Sequence, residues 1–71
     1  MGDMIEADLR GDDLRDAQLA AVNLYGANLN SADLRGANLE GANLTNAILT
    51  GARTEGAKFE AAIMPDGRRG E

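Results

Sequence analysis

The hydrophobic positions of this chain recur every five residues. All nine leucines, from Leu9 to Leu49, are separated from the next by a gap of five. Alanine recurs two positions before this centre, aspartate or asparagine one position before it, and glycine is frequent two positions after it. The unit reads Ala-(Asp/Asn)-Leu-X-Gly, and a fixed period of this kind determines the architecture.

A period of five fits neither a helix nor a continuous strand. Ala, Leu, Arg and Glu favour helix by propensity, but a helix places neighbours every 3.6 residues and would wind these leucines around all of its faces. In a continuous strand side chains alternate, so an odd period would send successive leucines to opposite faces. The pattern therefore predicts a corner in every unit.

Each unit predicts a short extended piece followed by a turn. Alanine and leucine are two positions apart and face inward together, while the Asp or Asn between them faces outward. The X-Gly pair turns the chain, because glycine adopts the conformations that a tight turn needs. If each turn is near a right angle, four units close a square and residue i lies above residue i−20. The backbone of one coil then pairs with the next.

These units resemble the pentapeptide-repeat family, whose pattern is A-(D/N)-L-x-x. Residues 27–31, 32–36, 37–41 and 42–46 match it directly, and the match covers most of the chain. The resemblance implies an all-β fold, a right-handed quadrilateral parallel β-helix with about three coils of 20 residues. It predicts a solenoid over residues 2–61, followed at 62–71 by a turn and a disordered tail, with Pro65 at the last edge.

The inward centres define the predicted core. The core residues are Leu9, Leu14, Leu19, Leu24, Leu29, Leu34, Leu39, Leu44, Leu49 and Phe59. Two departures weaken the end coils. Asp12 occupies an inward alanine position, which indicates a first coil open to water because a buried unpaired carboxylate is costly. Thr54 replaces an inward leucine in the last coil.

Composition limits the chemistry that the chain can perform. Seven basic and twelve acidic residues give a net charge of −5, which argues against direct nucleic-acid binding. Histidine and cysteine are absent, so the commonest general base and nucleophile–base pairs are missing. No phosphate-binding glycine loop and no apolar run of membrane length occur. We expect a non-enzyme with no cofactor, no metal and no membrane contact.

An acidic cluster near the N-terminus has two interpretations. It consists of Asp3, Glu6, Asp8, Asp12, Asp13 and Asp16. Carboxylate oxygens bind divalent cations, but the spacing is not that of a calcium loop and Leu14 within it belongs to the core. We favour a solvated acidic surface.

Two sets of outward residues are candidate contact surfaces. The 20-residue arithmetic stacks Asp13, Asp33 and Arg53 beside Arg15, Arg35 and Glu55. Such a mixed-sign row is either ordinary salt-bridged surface or a docking face. Tyr25 is the one outward aromatic residue, and Ile48 and Ile63 are outward and apolar. Tyrosine is enriched at interface hot spots, although isolated exposed apolar residues are also normal.

Three functions remain open at this point. The first is a structural or protein–protein interaction module with an unknown protein partner, because solenoids commonly work in this way. The second follows from the resemblance: some family members imitate DNA to bind a type II topoisomerase such as gyrase, but this chain has about half the charge density of duplex DNA. The third is a spacer without a specific ligand. We also expect a bacterial, cytoplasmic protein that self-associates through a coil end, where backbone groups are unpaired.

Overall fold

The computed structural model describes residues 3–70. This part of the chain contains no α-helix and no continuous strand. Single bridging residues and two-residue turns alternate along it with a period of five, from Asp3 to Ile63. Nine parallel bridges join each bridging residue to the residue 20 positions later, as in Asp8 to Asn28 and Asn28 to Ile48. The predicted stacking of residue i on residue i+20 is confirmed.

Backbone hydrogen bonds connect each turn of the solenoid with its neighbours. The Asn28 N–H donates to the Ala7 carbonyl at 2.9 Å, and the Asn28 carbonyl accepts from the Leu9 N–H at 2.9 Å. The same pattern recurs at Asp33, which donates to Asp12 and accepts from Leu14. Each rung therefore satisfies the polar groups of the next, so that short extended pieces are stable without a long strand.

Every unit ends in a tight turn closed by one backbone hydrogen bond. The Ala27 N–H donates to the Leu24 carbonyl at 3.0 Å, across Tyr25 and Gly26. The third residue of each turn has a positive φ, which a type II turn requires at that position. Glycine takes this position in half of the turns that follow the repeat. Non-glycine residues take it at Glu6, Asp16, Ala21, Ser31, Asn46 and Ala61, with φ between +57° and +63°.

The core lies in the middle of the solenoid. Leu19, Leu24, Leu29, Leu34, Leu39 and Leu44 are buried, as are Val22 and the alanines of the same rungs. Leu9, Leu14, Leu49 and Phe59 were also expected in the core but are half-buried. Each of these four belongs to a rung at the end of the described part, so it packs against a neighbouring rung on one side.

The C-terminal segment folds back on the last rung. Arg69 pairs antiparallel with Ile63, the Met64 N–H donates to the Arg68 carbonyl at 2.6 Å, and the Gly70 N–H donates to the Ala62 carbonyl at 2.6 Å. The expectation of a disordered tail is therefore wrong for Arg68–Gly70, because these residues satisfy backbone groups of the last rung. The bridge at Ile63 also continues the repeat register past residue 61. Glu71 and Gly2 lie outside the described residues.

Candidate interaction surface

Outward Asp and Asn side chains hold the turns of the solenoid. In each case the side-chain oxygen accepts a hydrogen bond from the backbone N–H two residues later, at 3.0–3.3 Å. That N–H has no backbone acceptor within residues 3–70. The acceptors are Asp3, Asp8, Asp13, Asn23, Asn28, Asp33, Asn38 and Asn43. The repeat therefore favours Asp or Asn at this position as the acceptor of an Asx turn, a role that its outward polarity alone did not indicate.

Three of these aspartates also form two-point ion pairs with an arginine. In the Asp13–Arg15 pair, Nε donates to Oδ1 at 2.9 Å and Nη2 donates to Oδ2 at 2.8 Å. Asp8 pairs with Arg10 in the same way. The third pair joins Asp33 to Arg35. An outward residue and the residue two positions later lie side by side, so the planar guanidinium meets both carboxylate oxygens.

These ion pairs change the protonation of the carboxyl groups. The side-chain hydrogen bond from Arg15 lowers the pKa of Asp13 to about 2. The hydrogen bond from Arg10 lowers the pKa of Asp8, and that from Arg35 lowers the pKa of Asp33. These side chains are largely solvent-exposed at Asp8 and Asp13. They act mainly by fixing the local geometry, since exposed pairs contribute little to stability.

The arginine face is one side of the solenoid, defined by Asp13, Arg15, Asp33, Arg35, Arg53 and Glu55. Its stacking follows the bridges from Asp13 to Asp33 and from Asp33 to Arg53. Arg15 reaches across the rungs, with its Nε 3.9 Å from Asp33 Oδ2. Four of the six charges on this face are therefore already paired with one another, which leaves less of the charge available for a partner.

The tyrosine edge is a corner of the solenoid formed by Ile5, Tyr25, Thr45 and Pro65. The turns that carry these residues stack directly: the Glu6 N–H donates to the Tyr25 carbonyl and the Gly26 N–H donates to the Thr45 carbonyl, both at 2.8 Å. Ile5 is 48% exposed and Tyr25 is 40% exposed. The sequence reading missed Ile5, although it occupies the position 20 residues before Tyr25.

Tyr25 is held in place by the next rung. Its hydroxyl oxygen accepts a hydrogen bond from Asn46 Nδ2 at 3.1 Å. The flank of the tyrosine edge adds Ile48, which is 44% exposed, and the half-buried Ile63. Along residues 3–70, the exposed large apolar side chains are Ile5, Tyr25 and Ile48, and all three lie on or beside this corner.

Charge is absent from the middle of the tyrosine edge and its two flanks. No charged residue occurs at positions 17–32 or 41–52. Within the described residues, the nearest charges are therefore at the two ends of the edge: Asp3, Glu6 and Asp8 at one end, and Asp66, Arg68 and Arg69 at the other. The result is an uncharged strip, two rungs deep, with an aromatic side chain in it.

The structure separates the predicted contact residues into two surfaces. Tyr25 and Arg35 are ten residues apart, which is half of a 20-residue turn, and they therefore occupy opposite corners. Ile48 and Ile63 lie beside the tyrosine edge, whereas Asp13, Arg15, Asp33 and Arg35 lie on the arginine face. A flat partner surface cannot contact both sets at once.

The described residues form no pocket and no group of three carboxylates that could hold a metal ion. Two members of the acidic cluster, Asp8 and Asp13, are ion-paired. Asp12, which the repeat places inward, is exposed. Thr54 is exposed as well, because no rung covers it on the C-terminal side. No helix of residues 3–70 has the length and apolar character needed to span a bilayer.

Comparison with known families adds to this geometry. The sequence model for pentapeptide repeats matches in eight copies, over residues 3–41, 13–51 and 27–66. This chain is a pentapeptide-repeat protein. The β-helix expected from the resemblance is thereby supported at the level of the family, whose solved members form right-handed β-helices.

Solved pentapeptide-repeat structures resemble this chain over most of its length. Rfr23 from the cyanobacterium Cyanothece 51142 is 41% identical, with a TM-score of 0.63, over 79% of this chain and 42% of that chain. HetL from Nostoc sp. strain PCC 7120, a protein involved in heterocyst differentiation regulation, is 33% identical with a TM-score of 0.41, over 96% and 43%. The Nostoc protein alr5209 is 33% identical with a TM-score of 0.38, over 84% and 62%.

This pentapeptide-repeat chain spans less than two thirds of each of these solved structures. The comparison with curated proteins gives no match.

Proposed function

We propose that this chain is a non-catalytic protein-interaction module whose contact surface is the tyrosine edge. The observation that carries the proposal is the uncharged strip around Tyr25. Interface cores are depleted of charged residues and enriched in tyrosine, while their rims are polar. The tyrosine edge has this composition: apolar and amide side chains lie in the middle, and charged groups lie at both ends.

The rigidity of the solenoid supports the same function. We infer three complete turns of 20 residues, in which Asx bonds hold the corners and backbone bonds hold the rungs. A surface fixed in advance loses little conformational entropy when it binds. The hydrogen bond from Asn46 to the Tyr25 hydroxyl fixes the aromatic ring in the same sense.

An enzymatic role has less support. Catalytic sites are generally concave and hold groups with convergent chemistry, and the described residues offer a convex surface without such a pocket. The serine at position 31 has no histidine or cysteine to act with, because the sequence contains neither.

Mimicry of duplex DNA also has less support than protein contact. The carboxylates of Asp8, Asp13 and Asp33 are bound to arginines, which reduces the free negative charge that a DNA-binding protein would meet. The longest lateral strip around Tyr25 carries no charge at all, whereas DNA presents about one charge per 1.7 Å along its axis.

Site-specific photocrosslinking in cells of the source organism tests the proposal. A benzophenone amino acid replaces Tyr25 in one variant and Arg35 in a matched control on the opposite corner. We expect discrete adducts from position 25 that are absent from position 35, and that disappear when Ile48→Asp is added to the position-25 variant. Equal adduct patterns from both positions would contradict the proposal.

A further inference from the structure

The two ends of the tyrosine edge carry opposite charge. Residues 3–8 contribute Asp3, Glu6 and Asp8, of which Asp8 is paired with Arg10. At the far end, Asp66 lies 3.5 Å from Arg68. Arg69 forms no ion pair with another described residue and pairs by its backbone with the outward Ile63. One end is therefore acidic, the other is basic, and the strip between them is neutral.

This distribution is complementary to itself in one orientation. A two-fold axis perpendicular to the solenoid axis reverses the order of the rungs in a second copy. Ile5 of one copy then lies opposite Pro65 of the second copy, and Tyr25 lies opposite Thr45. The acidic end of each copy meets the basic end of the other. In the parallel orientation the acidic ends would meet each other, which costs free energy.

The polar groups of the strip suit the same contact. Asn23 and Asn43 lie in adjacent rungs on the flank of the edge. Each amide retains N–H donors, because it is the amide oxygen that binds the turn. Thr45 and Tyr25 add hydroxyl groups. A surface that contains both donors and acceptors can form hydrogen bonds with an identical surface.

We propose that the tyrosine edge binds a second copy of this chain in the antiparallel orientation. This inference rests on the proposed function and names the partner of the same surface. The body measures 23 × 23 × 22 Å, so one side offers roughly 500 Å², below the ~800 Å² per partner of a standard stable interface. The dimer is therefore weak, with a Kd on the order of 0.1 mM.

Charge-swap variants test the orientation. Glu6→Lys changes the acidic end and Arg69→Glu changes the basic end, and neither side chain accepts or donates a turn bond. We measure mass by light scattering from about 10 µM to 1 mM, and confirm the fold of each variant by circular dichroism. The wild-type mass should rise from 7.4 kDa toward twice that value.

Each single swap should raise the Kd by about tenfold, because like charges then face each other. An equimolar mixture of the two variants should regain the wild-type Kd, since both end contacts of the mixed dimer are again between opposite charges. Tyr25→Ala should also abolish the dimer, while Arg35→Ala on the opposite corner should leave it unchanged.

Three results would overturn the inference. They are a wild-type monomer at 1 mM, a dimer that persists with Tyr25→Ala, and a mixture that stays monomeric. A wild-type monomer combined with specific heterologous adducts from position 25 would leave the proposed function intact and refute the second copy as partner. A monomer without such adducts would refute both.

Discussion

Ile63 occupies the position where the repeat places Asp or Asn, and Pro65 follows two residues later. Elsewhere this spacing joins an Asx oxygen to a backbone N–H, as Asn43 is joined to Thr45 at 3.0 Å. Proline has no N–H, so the acceptor is unnecessary at Ile63. The departure from the repeat at one position is therefore matched by the residue two positions later.

The Asx bonds should contribute measurably to stability. Ile48→Asn supplies an acceptor for the N–H of Thr50, which has no acceptor within residues 3–70. It should raise the free energy of unfolding by about 0.5–1 kcal/mol. Ile63→Asn is the matched control and should bring no such gain, because Pro65 offers no donor. Urea denaturation compares the two, and an equal effect of both substitutions would contradict the role of the bond.

Turn conformation should separate glycine from alanine at equivalent positions. An added Cβ at Gly41 meets no atom closer than 3.9 Å, so the cost of Gly41→Ala comes from its φ of +71°. We expect a loss of about 1–2 kcal/mol. Ala21 occupies the same corner one turn earlier with φ +61°, and Ala21→Gly should stabilise the chain. Thermal unfolding measures both, and a destabilising Ala21→Gly would show that strain at this turn is negligible.

The position of a leucine along the solenoid should decide what its loss costs. Leu14 and Leu34 are in the same column, but Leu34 is fully buried and Leu14 is half-buried. Leu34→Ala should lower the free energy of unfolding by about 2–5 kcal/mol. Leu14→Ala should cost less than half as much, because part of its surface already faces water. Equal losses in denaturant titrations would mean that the end rung is as well packed as the middle one.

The Asp13–Arg15 pair should make stability sensitive to acid. The pKa of Asp13 is about 2 in the folded chain, below its ordinary value of 3.8. A group whose pKa falls on folding contributes stability above its unfolded pKa and loses that contribution as pH falls toward the folded pKa. We therefore expect the free energy of unfolding to decrease between about pH 5 and pH 2.

Carboxyl-detected NMR titration checks this assignment. The Asp13 midpoint should rise in the Arg15→Ala variant, because the side-chain hydrogen bond from Arg15 is the main cause of the lowered pKa. Lys58→Ala changes a cation that does not interact with Asp13 and should leave the midpoint in place. A midpoint that does not respond to Arg15→Ala would assign the shift to another group.

The repeat was sufficient to predict the stacking but not its chemistry. Leucine at every fifth position requires a corner in each unit, and the register of Asp8 on Asn28 follows from four such corners. The Asx bonds were not predicted, because an outward polar residue is compatible with plain solvation. Their detection requires knowing that the N–H of Arg10, two residues after Asp8, points away from every backbone acceptor.

The fold-back of the C-terminal segment could not be predicted from residue character. Arg68, Arg69 and Gly70 contain no apolar side chain, and charged glycine-containing ends are commonly disordered. Their order comes from backbone bonds to Ala62 and Met64 and from the seat of Gly70 against the Phe59 carbonyl, where a Cβ would not fit. The tyrosine edge was half-visible, since Tyr25 was identified while Ile5 was not.

Crosslinking from position 25 against position 35 tests the central claim most directly. Both positions are first residues of a turn, both are solvent-accessible, and they lie on opposite corners of the solenoid. The account predicts that position 25 gives discrete adducts, either to a heterologous protein or to a second copy, and that position 35 gives none of them. Adducts that form equally from both corners, or from position 35 alone, would contradict it.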